Sequence, residues 1–343
     1  MFAYNWVMAH SGGAGPARAR AVTLQDVADE AGVAVSTVSR ALSNPDRVSA
    51  RTRAHVHDVA QRLDYHPNLI ARAWASGRTR MLALLVSDIT NPHNFGLIRG
   101  AEAQARAAGY TLVLGDTMGS HELEADHLDR LGSAMDGFLL ASSRLPEPAL
   151  QALLGRRPVV LFNRDAAGFP SVITDSEDGS RQVVEHLAAL GHRRMAYLAG
   201  PVDAWADGQR WAALSRHATR AGIAIGRHGP FAPTVEHGAA AADAALAGAA
   251  TALVAFNDLL AIGVLRRLEH LGIPVPARVS VVGFDDIFGA DFCHPPLTTV
   301  ASPVEEAGRA LIDLLLGTRS GQPGLVLPTH LRVRDSTGPP PPA

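Results

Sequence analysis

Within the run VAVSTVSRALS, Val35, Ser36, Thr37, Ser39 and Arg40 bring together an aliphatic group, hydroxyls and a guanidinium. On one exposed helical face these groups suit double-stranded DNA. Hydroxyls reach phosphate oxygens, an aliphatic carbon covers a thymine methyl, and a guanidinium pairs with a guanine edge. The same residues also suit the solvated face of an ordinary helical hairpin, so their meaning depends on what holds the helix. A second polar set, Asp88, Asn163, Asn257 and Asp285, follows short apolar runs. At the carboxyl ends of parallel strands such groups face a ligand; elsewhere they cap helices and solvate turns. A third set, Asp285, Asp286, Asp291, Cys293 and His294, is rich in metal-binding types but matches no zinc-ligand spacing, so no metal is expected.

The elements around the first set favour the recognition reading. Thr23 precedes the apolar series Leu24, Val27, Ala28 and Ala31 and can cap it, with Asp26 completing a capping box. Gly32 ends this helix, Val33 plugs the angle beyond it, and Ala28 is small enough for close helix approach. A second helix then runs from about Val35 to Ser43. This is the pattern of a helix-turn-helix, whose second helix turns its N-terminal residues to the major groove. Ser49 caps a third, arginine-rich helix, and "YHPN" leads into a further short one.

From about residue 81 the pattern changes to short Val/Leu-rich runs such as "MLALLVSD", "PVVLFNR", "RMAYLAG" and "VSVVGFDD", separated by stretches of helical spacing. The spacing predicts helices over Phe95–Ala108, Gly179–Leu190, Arg210–Ala221 and Leu259–Leu271. Strands apolar on both faces and alternating with helices form parallel sheets covered on each side. The number of strands suits two doubly wound lobes better than one.

Composition sets the frame. A chain of 343 residues, 47% hydrophobic and 19% charged, is globular and long enough for two or three domains. Its one cysteine, Cys293, excludes an intrachain disulfide and fits a reducing compartment. The formal charge of −2 hides an asymmetry: residues 1–80 hold ten arginines against six acids, the remainder twenty-one against twenty-seven, and there is no lysine. A basic end on an acidic body points to a polyanionic partner. The apolar patch Trp6 to Met8 follows no basic residue and is too short for a signal sequence or a membrane span, so a cytoplasmic protein with a disordered tail over residues 1–21 is expected, and Met8 is an alternative start. "GPPPPA" suggests a second disordered tail, 337–343. Phosphate loop, "GxSxG" elbow and dinucleotide fingerprint are all missing, so no enzymatic activity and no cofactor are expected.

The runs "VTLQDVADEAGVAVSTVSRALSN", "LDYHPNLIAR", "TNPHNFGLIRGAE", "AFNDLLAIG", "VPARVSVVGFDDI", "PPLTTV" and "LRVRDST" carry a resemblance over residues 22–336. The chain resembles the LacI/GalR (lactose/galactose repressor) family of transcriptional regulators. The resemblance implies an all-α helix-turn-helix headpiece over 22–67, a hinge helix and linker over 68–79, and a two-lobed core like that of periplasmic binding proteins over 80–336. The N-lobe would hold about 80–176 and 303–320, the C-lobe about 177–302 and 321–336.

Carried over by position, Val35, Ser36 and Arg40 read bases, Thr23, Thr37 and Ser39 contact phosphates, and Tyr65, Asn68, Ala71 and Trp74 belong to the headpiece and hinge contacts. The effector positions are His93, Asn94, Phe162, Asn163, Arg210, Asn257 and Asp285, with Phe162, Trp205 or Phe292 available to cover a sugar ring. Carboxylate, guanidinium and amides suit a polyhydroxylated ligand. Purine-responsive members place aromatics where this chain has His93 and Asn94, which argues against a stacked base. Two departures stand out: Ala34 replaces the usual capping serine, and Trp74 the usual leucine wedge. The implied partners are a pseudo-palindromic DNA operator, a small effector and a second copy of the chain, with no membrane. A sugar-binding protein without a DNA role is the alternative, and it would lack the headpiece.

Overall fold

The computed structural model describes residues 22–43, 47–65, 78–318 and 324–342, which divide into a headpiece, up to Arg78, and a core from Thr79. In the headpiece, α1 (Leu24–Ala31), α2 (Val35–Ser43) and α3 (Ala50–Arg62) close around Val27, Ala28, Ala31, Val38, Ala41, Val56, Val59 and Ala60. These are all valine or alanine, so the helices approach closely around a small core. Thr23 and Asp26 cap α1 reciprocally: the Asp26 N–H donates to the Thr23 hydroxyl at 3.3 Å, and the Thr23 N–H to the Asp26 carboxylate at 2.7 Å. Gly32 supplies the left-handed turn at φ 64°, and the Val33 N–H bonds back to the Ala28 carbonyl.

The N-lobe of the core is a six-stranded sheet of β1 (Met81–Val86), β2 (Thr111–Asp116), β3 (Gly137–Ala141), β4 (Val159–Phe162), β5 (Ser171–Thr174) and β11 (Gly324–Leu327). The C-lobe sheet contains β6 (Arg194–Leu198), β7 (Ala224–His228), β8 (Ala252–Ala255), β9 (Ser280–Asp285), β10 (Thr298–Ala301) and β12 (His330–Arg332). The strand orders are β11-β5-β4-β3-β1-β2 and β12-β10-β9-β8-β6-β7, parallel except for β12 against β10. Helices α4 (His93–Ala107), α5 (His121–Leu131), α6 (Glu147–Gln151) and α11 (Val304–Leu316) serve the first sheet. The second has α7 (Ser176–Ala189), α8 (Trp205–Arg220), α9 (Gly238–Leu246) and α10 (Asp258–His270). The sheets' central strands are buried on both faces, as the continuous apolar runs required. No helix among the described residues is long and apolar enough to cross a membrane.

The chain passes between the lobes after β5, β10 and β11. The third passage corrects the expected boundary at residue 321: Leu325–Leu327 pair in register with Val172–Thr174 of the N-lobe, so the chain leaves that lobe only beyond Leu327. The short segments β7, β10, β11 and β12 carry too few residues for a clear period and were not expected as strands.

At the crossing of α4 and α11, a Cβ on Gly308 would lie 2.2 Å from the Leu97 carbonyl oxygen, and one on Gly100 would lie 2.0 Å from that of Glu305. Gly308→Val is therefore expected to force the helices apart, lowering stability by about 1–3 kcal/mol or more and the thermal midpoint by several degrees.

The expected proline tail is also corrected, because its first residues are held in place. The Gly338 N–H donates to the Ser280 hydroxyl at 3.1 Å, the Gly338 carbonyl lies 3.0 Å from His192 Nε2, and the Thr337 hydroxyl lies 2.9 Å from His186 Nε2. Prolines donate no N–H, but the residues before them and every carbonyl still bond. Since a carbonyl only accepts, His192 Nε2 carries the proton, and burial pushes both imidazoles below their usual pKa. The folded state therefore binds protons more weakly than the unfolded chain. The stability they contribute is complete above about pH 6.5 and is lost as pH falls from there through the folded values. Thermal unfolding between pH 7.5 and 5.5 should show this slope, flattened in His192→Gln.

Candidate functional site

On α2, Ser36, Ser39 and Arg40 are exposed, and their spacing of three and four residues places them on one face, opposite the buried Val38 and Ala41. Thr37 is half-buried, and Val35 packs partly against the headpiece core, leaving less of its side chain for a base edge than the expectation implied. Thr23 is exposed at the start of α1; Tyr65 packs half-buried on the headpiece core. The Ala34 carbonyl receives the Thr37 and Val38 N–H groups at 2.8 and 3.1 Å, but alanine has no side-chain acceptor, so first-turn N–H groups are left to water or an anion. Arg47 and Arg51 add exposed positive charge, while that of Arg62 is offset by Glu30 at 3.7 Å. Asn68, Ala71 and Trp74, with the hinge helix and the 1–21 tail, lie outside the described residues.

In the core, a cavity of about 400 Å³ opens between the lobes at the carboxyl ends of both sheets, within the usual range for small-molecule sites. Arg210, on α8, is its best-organised group. Its guanidinium lies over the rings of Phe256 and Phe284, with centroids at 5.0 and 4.5 Å, and donates to the Phe256 carbonyl and, at 3.1 Å, to the Asp285 carboxylate. Asp285 sits at the end of β9 with φ 112°, a backbone conformation few side-chain-bearing residues adopt. His93 enters from the start of α4, with Nδ1 3.7 Å from the same carboxylate. Behind them Asp258 is fully buried, accepting from the Thr299 hydroxyl at 2.6 Å and the Ile287 N–H at 2.9 Å; burial, reinforced by Asp285, pushes its carboxyl well above the usual range.

The asparagines all line the cavity, but each is partly committed to the fold. The Asn163 amide oxygen accepts from the Thr174 N–H and hydroxyl, both at 2.9 Å, which leaves its NH2 group for a ligand. Asn257 caps α10 through Leu260 N–H at 3.0 Å and donates to the Pro233 carbonyl at 3.1 Å. Asn94 donates to the Asp88 carbonyl at 2.7 Å. These residues act as much by fixing the wall as by offering hydrogen bonds.

Two expected aromatic contacts are corrected. Phe162 is buried and is absent from the cavity lining: as the last residue of β4 it packs in the N-lobe core, its ring stacked on His93 at 6.2 Å. Phe292 is exposed and meets Phe288 edge-on instead. Trp205 does line the cavity. Asp88 lines it too, as its place after a strand suggested, and Asn91, Thr234 and Arg144 join it without having been expected; Arg144 follows directly on the strand run "GFLLASS".

Residues 23–68 match the profile described as bacterial regulatory proteins, lacI family, and residues 184–337 match a periplasmic binding protein-like domain. The chain is 33% identical over 331 residues to the HTH-type transcriptional repressor CytR of Escherichia coli K12, covering 92% of this chain and 96% of that one. It superposes on the lac repressor dimer bound to operator and the anti-inducer ONPF with a TM-score of 0.82 at 28% identity, covering 93% and 100% of the two chains. A complex of the transcriptional regulator CelR with cellobiose gives 0.66 at 33% identity, covering 92% and 99%. With a helix-turn-helix headpiece, a two-lobed core and relatives that are transcriptional regulators rather than enzymes, the chain belongs to the LacI/GalR family of DNA-binding transcriptional regulators.

Proposed function

We propose that this protein is a repressor acting in the cytoplasm as a homodimer on genes of carbohydrate uptake or catabolism, with its operator affinity set by a small polyhydroxylated effector in the inter-lobe cleft. The observation that carries the reading is the presence, in one chain, of an exposed Ser36–Ser39–Arg40 face on a recognition helix and a cavity walled by a guanidinium, a carboxylate and amides. Arg210 and Asp285 line the cavity with the donors and acceptor oxygen that their mutual bond leaves over, which suit the hydroxyls of a sugar, and the Trp205 indole suits the apolar face of its ring. Thr23, Val35, Thr37 and Tyr65 complete the proposed DNA contacts of the headpiece, with Asn68, Ala71 and Trp74 supplying those of the hinge. Two headpieces related by a twofold axis read the two halves of a pseudo-palindrome. Effector and operator communicate through one two-state equilibrium of the core.

Selection of the full-length protein against random duplex DNA should enrich a pseudo-palindrome. Fluorescence anisotropy on that duplex should fall steeply with salt and shift with a mono- or disaccharide, cellobiose among those tried. Failure to enrich any palindrome would overturn the DNA half of the proposal; an unchanged affinity with every sugar would overturn the effector half.

A further inference from the structure

One ion pair across the cleft is unused by this reading. Arg144 follows β3 in the N-lobe, and Asp203 lies in the C-lobe between β6 and α8; Arg144 Nη1 donates to the Asp203 carboxylate at 2.8 Å. The two ends are unlike. The Arg144 side chain is 7% exposed and the Asp203 side chain 52%. The N-lobe end is firmly built: the Arg144 N–H donates to Glu124 of α5 at 2.9 Å, and Arg164 donates to the neighbouring Ser143 carbonyl at 3.0 Å. Arg144 lines the cavity, while Asp203 stands between Pro201 and Ala204, which do.

We propose that Arg144 and Asp203 form a tie that holds the two lobes closed over the effector cavity, with Asp203 acting as a positioning residue for the Arg144 guanidinium. The argument rests on what each state does to that guanidinium. In the closed form it is buried, its Nε has no hydrogen-bond partner, and burial holds its pKa below the usual arginine value. Asp203 compensates the charge from across the cleft. Without that carboxylate the closed form keeps a buried cation short of its counter-charge, whereas separation of the lobes lets water reach it, so the equilibrium moves toward the open form. Glu124 also faces this guanidinium, but it belongs to the N-lobe and stays beside Arg144 whether the lobes are together or apart, so it gives the closed form no preference. Since Asp203 is half exposed, dissolved salt weakens the tie. If the closed form is the one that grips the effector, apparent affinity falls in proportion to the fraction of closed molecules.

The test needs neither DNA nor effector, so its failure is distinct from failure of the proposed function. Spin labels on Asp129→Cys and Glu269→Cys, exposed on the two lobes, in a full-length Cys293→Ser background report the distance between lobes by pulsed electron paramagnetic resonance. Asp203→Asn is expected to add a longer-distance population, Arg144→Gln to do the same, and the double variant to go no further. Raising sodium chloride from 50 to 500 mM is expected to lengthen the distances in the labelled parent and to change nothing in Asp203→Asn. The salt comparison in the parent requires no substitution at the tie and so survives a variant that folds poorly. A distribution unmoved by both Asp203→Asn and salt, or a salt response as large in Asp203→Asn as in the parent, would overturn the tie.

Discussion

Arg210→Ala abolishes effector control at concentrations that saturate the parent protein, while operator binding without effector is retained. Arg210 is fixed before any ligand arrives, lying over the Phe256 and Phe284 rings and bonded to the Phe256 carbonyl and the Asp285 carboxylate. Both members of the Arg210–Asp285 pair are less than 10% exposed, so truncating one leaves the other buried without its partner. Breaking such a pair costs about 3–5 kcal/mol, and the loss of the cavity's best-ordered donor implies an effector affinity weaker by about 10²–10³-fold. Arg210→Lys separates charge from geometry. It keeps the cation for Asp285 but loses the planar fork that lies over the rings, so it should fold nearly as well and still bind effector poorly. Titrating effector into the protein–operator complex measures both variants; parent-like sensitivity in Arg210→Ala would remove Arg210 from the binding site.

The positions of these residues were legible in the sequence to different degrees, for physical reasons. The caps of α1, the left-handed Gly32 and the order of helices in the headpiece follow from local chemistry, which neighbouring residues alone decide. The alternation of apolar runs and helices likewise announced two doubly wound sheets, and strand ends marked Asn163, Asn257 and Asp285 as cavity residues. A run buried on both faces does not say which face looks into a cleft, so Phe162 was expected at the ligand and lies in the core. Nor does an asparagine reveal how much of its amide is spent locally: the Asn163 oxygen serves Thr174, eleven residues on. The Arg144 side chain bonds a carboxylate 59 residues away in the other lobe, a pairing no local pattern encodes. Proline composition hid the C-terminal segment for a simpler reason, since it tells of missing donors and nothing about the His192, Ser280 and His186 side chains waiting for it.

Arg40→Ala should weaken operator binding and, more tellingly, blunt discrimination at one base position in each half-site. The residue is exposed on the same face of α2 as Ser36 and Ser39, while Val38 and Ala41 on the other face anchor the helix, so its removal leaves the headpiece core intact. A bidentate arginine–guanine pair is worth about 1–3 kcal/mol of discrimination, roughly 5–150-fold, and the proposed dimer would make the contact in both half-sites. Arg51→Ala supplies the contrast. Exposed in the first turn of α3, it adds charge rather than a base contact on the proposed surface, so its loss should weaken all duplexes about equally and lower the salt slope by about one. Competition binding against operator duplexes substituted one position at a time distinguishes the two: a flat specificity profile for Arg40→Ala alone assigns the base contact to it. A uniform loss from Arg40→Ala, with specificity unchanged, would show that it grips the backbone, and base reading would then fall to Ser36, Val35 and the hinge.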